Sequence, residues 1–284
     1  NKGDTFLNGI VPFVAYGIVV TIHMPMCLGM TNIIAPILSP KEFTEFMIKY
    51  KPNHTITVPT YVEHFVHDRK ADSMNWKCLK NLGIGGDYFP EQSEIYVNEF
   101  LKNHGSSSIA EKGYGMTENS STAGVCLVGV NKINSLGIPL PLNTYGIFER
   151  GTDKELKYGE EGEICITGPT EMLGYLDNEE EEGKVIKIHS DGKKWIHSED
   201  VGIIDEDGFL FFKGRYKRLI PHGGFKLYPS YIEGIIMKHP NIDNCCVISI
   251  PDKVYGASPE AHVVIKKDSV SELKKLKEEL IFWG

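Results

Sequence analysis

A change of period along the 284 residues limits what this chain can fold into. From residue 13 to about 112, apolar residues at helical spacing alternate with short β-branched runs. Residues 13–24 predict a buried helix, and Thr31 to Ala35 a buried strand. Phe43, Phe46, Met47 and Tyr50 recur at i, i+3, i+4 and i+7, the stripe of an amphipathic helix. Thr55 to Val58 predict a strand, a helix follows Pro59, and Leu79 to Ile84 predict a strand ending in Gly85-Gly86. Val97, Phe100 and Leu101 mark another helix, and Ser107 to Glu111 another strand. Parallel strands need crossover connections, so repeated strand–helix units imply a parallel sheet covered by helices on both faces.

Residues 120–213 read differently. Strands are short and turn signals frequent, as at Gly151, Gly159, Asp191-Gly192 and Asp207-Gly208, which predicts an antiparallel, β-rich region shaped as a small barrel. Glu179 to Glu182 reads as a solvated loop. After Lys217, Ile232, Ile235, Ile236 and His239 share a helical face. Cys245 to Ile250 and Ala261 to Ile265 read as strands, and Ser269-x-x-Glu272 is a capping box before Leu273, Leu276 and Leu280. The expected architecture is α/β. A parallel βα sheet layer to about 120 and a β-rich small barrel over 121–216 make a partial large domain, 1–216; a small α+β domain follows over 217–284.

Composition removes several function classes. A net charge of −8 with no basic block argues against a nucleic-acid partner. Six cysteines show no Cys-x-x-Cys spacing, and Cys245-Cys246 lies in an apolar run expected to bury its thiols. This usage fits a reduced, cytoplasmic protein. No basic segment precedes the apolar stretch at residues 10–38, so no signal peptide is expected. Pro12, Pro25 and Pro36 divide that stretch into pieces too short to span a bilayer. The sequence fixes no oligomeric state.

Three short motifs carry the chemistry. Gly113-Tyr114-Gly115-Met116-Thr117-Glu118 follows the expected strand Ser107 to Glu111, where α/β sheets bind ligands. Glycines allow a close backbone approach, a tyrosine face can stack on a base, a threonine hydroxyl can reach a phosphate, and a glutamate is a hard ligand for Mg²⁺. About eighty residues later come Ser198-Glu199-Asp200 and Gly214-Arg215-Tyr216-Lys217. An aspartate is a bidentate acceptor suited to a diol, and an arginine offers a fork of donors to phosphate oxygens.

Order and spacing together resemble the adenylate-forming superfamily: acyl-CoA synthetases, peptide-synthetase adenylation domains and luciferases. The resemblance implies an enzyme that activates a carboxylic acid with ATP and Mg²⁺ and passes the acyl group to coenzyme A. By the same resemblance Tyr114, Gly115 and Met116 lie at adenine, Thr117 at the α-phosphate and Glu118 at the metal. Gly85-Gly86-Asp87 resembles the family turn that lines the adenine and acyl pockets, although Asp87 departs from it. Tyr16 and Gly17 fall in the acid-pocket block, where the usual histidine is absent. Asp200 would accept from the ribose hydroxyls and Arg215 would bind ribose or α-phosphate oxygens. Lys217 matches the hinge on which a mobile small domain turns between two half-reactions. Gly223-Gly224-Phe225-Lys226 with Tyr228-Pro229 is the acyl-CoA synthetase form of the next block, which places Gly223, Gly224 and Lys226 at coenzyme A. The block Gly162 to Gly168 with Gly174-Tyr175-Leu176 is structural in the family.

The chain departs from the pattern in places. Glu199 stands where the family has glycine. The phosphate loop, expected before residue 1, and the catalytic lysine, expected after residue 284, are not found, so these residues alone are expected not to turn over. His197 is not expected to ligate a metal. An adenylation domain that loads a carrier protein and a non-catalytic nucleotide-binding relative are the competing readings. The charge-free Phe13 to Gly17 region points to an apolar, fatty or aryl, acid.

Overall fold

The computed structural model describes residues 2–35 and 39–265. The capping box at Ser269 and Glu272 lies outside them. The chain divides into two compact units: the residues to Ser198 together with Ile203–Phe211, and Glu199–Gly202 together with the residues from Phe212 on.

The first unit is built on a seven-stranded sheet. Its strands are β1 (Thr5–Asn8), β2 (Thr31–Ile33), β3 (His54–Thr57), β4 (Asn81–Ile84), β5 (Ala110–Met116), β6 (Ser121–Val125) and β7 (Ile138–Pro139), in the order β2-β1-β3-β4-β5-β6-β7. The first five run parallel, as the alternation predicts, and β6 and β7 add antiparallel pairs. Those two strands fall in the range expected for the β-rich region, yet they extend the first sheet.

The helices form where the pattern placed them. Pro40–Tyr50 starts at Ser39, whose hydroxyl accepts from the Glu42 N–H and donates to the Glu42 carboxylate, a reciprocal cap. Phe43 and Met47 of its stripe are fully buried, whereas Tyr50 stays exposed. They pack with Val62 and Phe65 of the helix Pro59–Val66, with Trp76, and with Leu101 of the helix Glu91–Asn103 in one core under the sheet. The Phe65 and Trp76 rings meet edge-on at 4.8 Å. Glu94 of the last helix holds Lys112 of β5 in a buried ion pair at 2.5 Å, just before the glycine-rich motif.

The apolar stretch at residues 10–38 corrects an expectation. Tyr16–His23 is a π-helix continued by an α-helical turn, Met24–Cys27. Only Gly17, Thr21 and Pro25 of these are buried, while Ile18, Val19, Met26 and Leu28 are exposed, as is Phe13 before them. The buried positions recur at every fourth residue, a stripe too narrow to cover the larger side chains between them. Among the described residues no helix is long and apolar enough to cross a membrane.

A second, antiparallel sheet contains β8 (Thr144–Phe148), β9 (Gly162–Thr167), β10 (Ile186–Ile188) and β11 (Lys194–Ile204), ordered β10-β11-β9-β8, with β12 (Leu210–Arg215) also on β11. Phe148, Trp195 and Cys165 form its small core. The expected loop at Glu179 to Glu182 is instead the start of a short exposed helix, Glu179–Val185. Asn178 caps it, and its four glutamates favour the positive helix start.

The second unit carries β13 (Ile220–His222), β14 (Phe225–Leu227), β15 (Ile242–Asp252) and β16 (Gly256–Ile265), ordered β14-β13-β16-β15. The helix Pro229–Ile236 lays Ile232 and Ile236 on Ile220 and Val247. His239 is buried but lies past the helix end. Cys245 is half-buried against this core, and burial pushes its thiol up to about 11, whereas Cys246 faces solvent; the strand period sends adjacent thiols to opposite faces.

Candidate active site

Strand β5 changes partner at the motif. Ala110 to Lys112 pair parallel with β4, and Gly113 to Met116 pair antiparallel with β6. The motif therefore occupies the second half of a strand rather than the loop after Glu111, because β6 supplies ladder partners the sequence pattern did not reveal. The register slips between Tyr114 and Gly115. A Cβ at Gly115 would fall 1.7 Å from the Ser121 carbonyl oxygen, so only glycine fits the slip. Thr117–Asn119 is a 3₁₀ turn, fixed by the Met116 N–H donating to Asn119 Oδ1 at 2.7 Å. Thr117 and Gly115 are exposed and Glu118 is half-buried. Tyr114 is only 8% exposed and meets the Tyr145 ring edge-on at 6.1 Å.

Glu118 is held from two sides by the loop after β9. Its carbonyl oxygen accepts from the Met172 N–H at 2.7 Å, and its Oε1 accepts from the Tyr175 hydroxyl at 2.7 Å. Desolvation and then this carboxylate push the Tyr175 phenol up to about 12. Glu118 Oε2 has no hydrogen-bond partner among the described residues. A hard carboxylate oxygen with one partner oxygen fixed and the other unbonded is a donor suited to a divalent cation such as Mg²⁺.

Gly85 and Gly86 follow β4, and the Gly85 N–H donates to the Thr57 carbonyl. The structure brings Tyr16 to them: a Cβ on Gly85 would lie 2.9 Å from the Tyr16 hydroxyl, and one on Gly86 4.0 Å from its ring. Gly86 has φ +85°, open to glycine. A Cβ at Gly17 would meet the Val11 carbonyl oxygen at 1.9 Å, so the main chain packs directly on Val11 there. Burial raises the Tyr16 phenol above its ordinary range. Asp87 is exposed, and its side chain accepts from the Tyr88 N–H.

In the second unit Asp200 is 6% exposed, and its Oδ1 pairs with Arg215 Nε at 3.0 Å. Glu199 has φ +57°, the left-handed conformation that glycine takes without strain, and its carboxylate pairs with Lys217 Nζ at 2.7 Å. Lys217 lies in the 3₁₀ turn Tyr216–Arg218 directly after β12. Gly223 and Gly224 form the tight β13–β14 turn at φ +57° and +89°, with nothing within 4 Å of a Gly224 Cβ, and Lys226 is exposed on β14.

His197 is one residue before the Ser198-Glu199-Asp200 motif and fully inside the first unit. Its Nδ1 lies 3.0 Å from Glu163 Oε2 and 3.5 Å from Cys165 Sγ, and its Nε2 lies 2.9 Å from His189 Nε2. These three ligand types come within 4.8 Å of one another. Burial pushes the Cys165 thiol far up, which keeps it protonated, and hydrogen bonds already occupy both imidazole nitrogens. The cluster reads as a buried hydrogen-bonded network.

Sequence reasoning missed Tyr175, which it placed in a structural block, and Glu182, which it placed in a loop. The Tyr175 N–H donates to Glu182 Oε2 at 3.1 Å. A lone tyrosine after Gly174 carries no periodic signal, and the contact with Glu118 spans 57 residues.

Comparison with known proteins shows the family. The model of the AMP-binding enzyme family matches residues 1–176, and that of the AMP-binding enzyme C-terminal domain matches residues 231–283. The probable 4-coumarate–CoA ligase 1 of Dictyostelium discoideum is 33% identical over 285 residues, covering 100% of this chain and 49% of that protein. The long-chain-fatty-acid–CoA ligase of Bacillus subtilis is 30% identical over 277 residues, covering 97% of this chain and 48% of its own length. The chain thus spans about half the length of the curated relatives it matches. Among solved structures, an o-succinylbenzoate CoA synthetase from Bacillus subtilis, in complex with its acyl-adenylate intermediate, shares the fold at a TM-score of 0.82. Its identity is 24%, over 98% of this chain and 55% of the other. The chain belongs to the AMP-binding enzyme family, within the adenylate-forming superfamily that its motifs resemble.

Proposed function

We propose that the protein carrying this chain is an ATP-dependent acid–thiol ligase of the acyl-CoA synthetase type. A carboxylate oxygen attacks the α-phosphorus of ATP, the bond to the bridging oxygen breaks, and pyrophosphate leaves behind an acyl-adenylate. The sulfur of coenzyme A then attacks the acyl carbon, AMP leaves, and the thiol proton passes to solvent. The carboxylate is its own nucleophile, so the protein's task is to orient the reactants and stabilise charge.

The observation that carries this reading is the Glu118 carboxylate, fixed at Oε1 and unbonded at Oε2, at the end of a glycine-rich strand. Mg²⁺, when bound, would neutralise phosphate charge, and Glu118 would hold it. Thr117 offers its exposed hydroxyl to the α-phosphate. Tyr114, Gly115, Met116, Gly85 and Gly86 would lie at adenine. Tyr16, Gly17 and Gly86 would shape the acyl pocket. In the second unit Asp200 would accept from the ribose hydroxyls, with Arg215 both orienting it and reaching ribose or phosphate oxygens. Gly223, Gly224 and Lys226 would meet coenzyme A. The open Gly224 backbone supports that role, because a thin ligand arm can lie only against bare main chain.

The acid is proposed to be fatty or aryl, in keeping with the uncharged Phe13 to Gly17 segment and the names of the relatives. The domains are proposed as 1–216 and 217–284, with Lys217 the hinge. Six unpaired cysteines support a cytoplasmic setting. The test is incubation of the full-length protein with ATP, Mg²⁺, coenzyme A and a panel of fatty and aryl acids, followed by mass spectrometry. Acyl-CoA with equimolar AMP is expected. ADP as the nucleotide product, or no thioester with any acid, would overturn the reading.

A further inference from the structure

We infer that Tyr175 is a positioning residue for Glu118, and that the acidic helix Glu179–Val185 holds Tyr175 in turn through Glu182. The inference rests on the function proposed above and adds residues to which the sequence assigns no chemistry.

A carboxylate on a half-buried side chain has two near-equivalent oxygens and a soft terminal torsion, so its orientation is poorly set by the chain alone. Here a single donor sets it. The Tyr175 hydroxyl donates to Oε1 at 2.7 Å, the short length of a hydrogen bond to a charged acceptor. The main chain at Glu118 is fixed at the same time, because its carbonyl accepts from Met172 N–H, and the Met172 carbonyl accepts from Lys194 Nζ at 2.9 Å. Carboxylate and backbone are thus clamped by one loop, and Oε2 is left without a hydrogen bond among the described residues.

The loop has its own support. Tyr175 N–H donates to Glu182 Oε2, and a Cβ on Gly174 would lie 2.0 Å from that same oxygen, so the Glu182 carboxylate occupies the space that the glycine leaves beside the loop. Lys184 pairs with Glu180 and Glu181, not with Glu182, which leaves Glu182 to the loop. Partners of this kind, one step removed from a cation, typically change metal affinity about 10–100-fold when removed.

The experiment is Tyr175→Phe in the full-length protein, which keeps the ring and removes only the donor. Mn²⁺ replaces Mg²⁺ as the probe, read by electron paramagnetic resonance in the presence of ATP; ATP binding in excess EDTA is measured separately by calorimetry. We expect Mn²⁺ affinity in the ternary complex to fall about 10-fold, with metal-free ATP affinity unchanged. Glu182→Gln should shift Mn²⁺ affinity the same way by less. In a Glu118→Gln background, Tyr175→Phe should add nothing. Equal losses with and without metal, or no loss in Tyr175→Phe, would overturn the inference while the function stands. Wild-type protein that binds ATP with no metal linkage at all would overturn both.

Discussion

The Gly113–Glu118 strand end and the Ser198–Asp200 segment solve one problem in opposite ways. Each needs a backbone path that an ordinary residue resists. At Gly115 the slip against β6 leaves no room for a Cβ, and the sequence supplies glycine. At Glu199 the backbone adopts φ +57° all the same, with a glutamate in place. The difference lies in what the extra atoms meet. A side chain on Gly115 would strike main chain that moves only if β6 moves with it, whereas the Glu199 side chain extends to Lys217 Nζ at 2.7 Å. Steric overlap with main chain costs several-fold more than left-handed strain, which is on the order of 1 kcal/mol and can be partly offset by a contact.

The largest effect that would break this comparison is at the strand end. Gly115→Ala is expected to cost about 3 kcal/mol or more, because the Ser121 carbonyl must shift and β6 with it. Urea denaturation reads it, and a loss below 1 kcal/mol would mean the slip is soft.

A carboxylate in the first half of β5 gives the same strand a pH signature. Glu111 is buried, and desolvation raises it from the ordinary 4.5 to about 7, against the opposing hydrogen bond from Asn81. The folded state therefore binds the extra proton between these values. Its stabilisation is fully present below about pH 4.5 and is lost as pH rises through about 7, by up to about 3 kcal/mol. Glu111→Gln should flatten that slope in denaturation curves taken between pH 5 and 8; an unchanged slope would contradict the assigned cause.

Much of this was legible in advance because it is local. Four of the five parallel strands, β2 to β5, and three helices follow from period, each set within about a dozen residues, whereas β1 and the Ser39 cap emerged only in the folded chain. Losses came where distant partners decide. Strand β5 runs past Glu111 because β6 pairs with it, and the apolar stretch at residues 10–38 exposes Ile18 and Val19 because only every fourth residue of its helix is covered. Tyr175 was invisible because its partner is 57 residues away. At the site, residue types were readable but conformations were not: φ at Glu199 and the two ion pairs, Asp200 with Arg215 and Glu199 with Lys217, need the folded chain.

Two smaller effects sharpen the contrast on the other side. Asp200→Ala removes a nearly buried acceptor and should weaken AMP binding by about 2 kcal/mol in a calorimetric titration of the full-length protein. Equal affinities would remove Asp200 from the nucleotide. Glu199→Gly should have the smallest effect and the opposite sign from Gly115→Ala. It relieves the left-handed strain and loses one exposed ion pair, for a net gain of at most about 1 kcal/mol. If the Lys217 turn is a hinge, the same variant should change thioester formation relative to adenylate formation in single-turnover assays. Destabilisation by Glu199→Gly would mean that the pair outweighs the strain.

The central claim is acid activation at Glu118, and carboxylate-dependent exchange of labelled pyrophosphate into ATP measures it without coenzyme A. The full-length protein should exchange with at least one fatty or aryl acid, and Glu118→Gln should lower the rate about 100-fold or more. Exchange that is absent with every acid, or that Glu118→Gln leaves at the wild-type rate, would contradict the account.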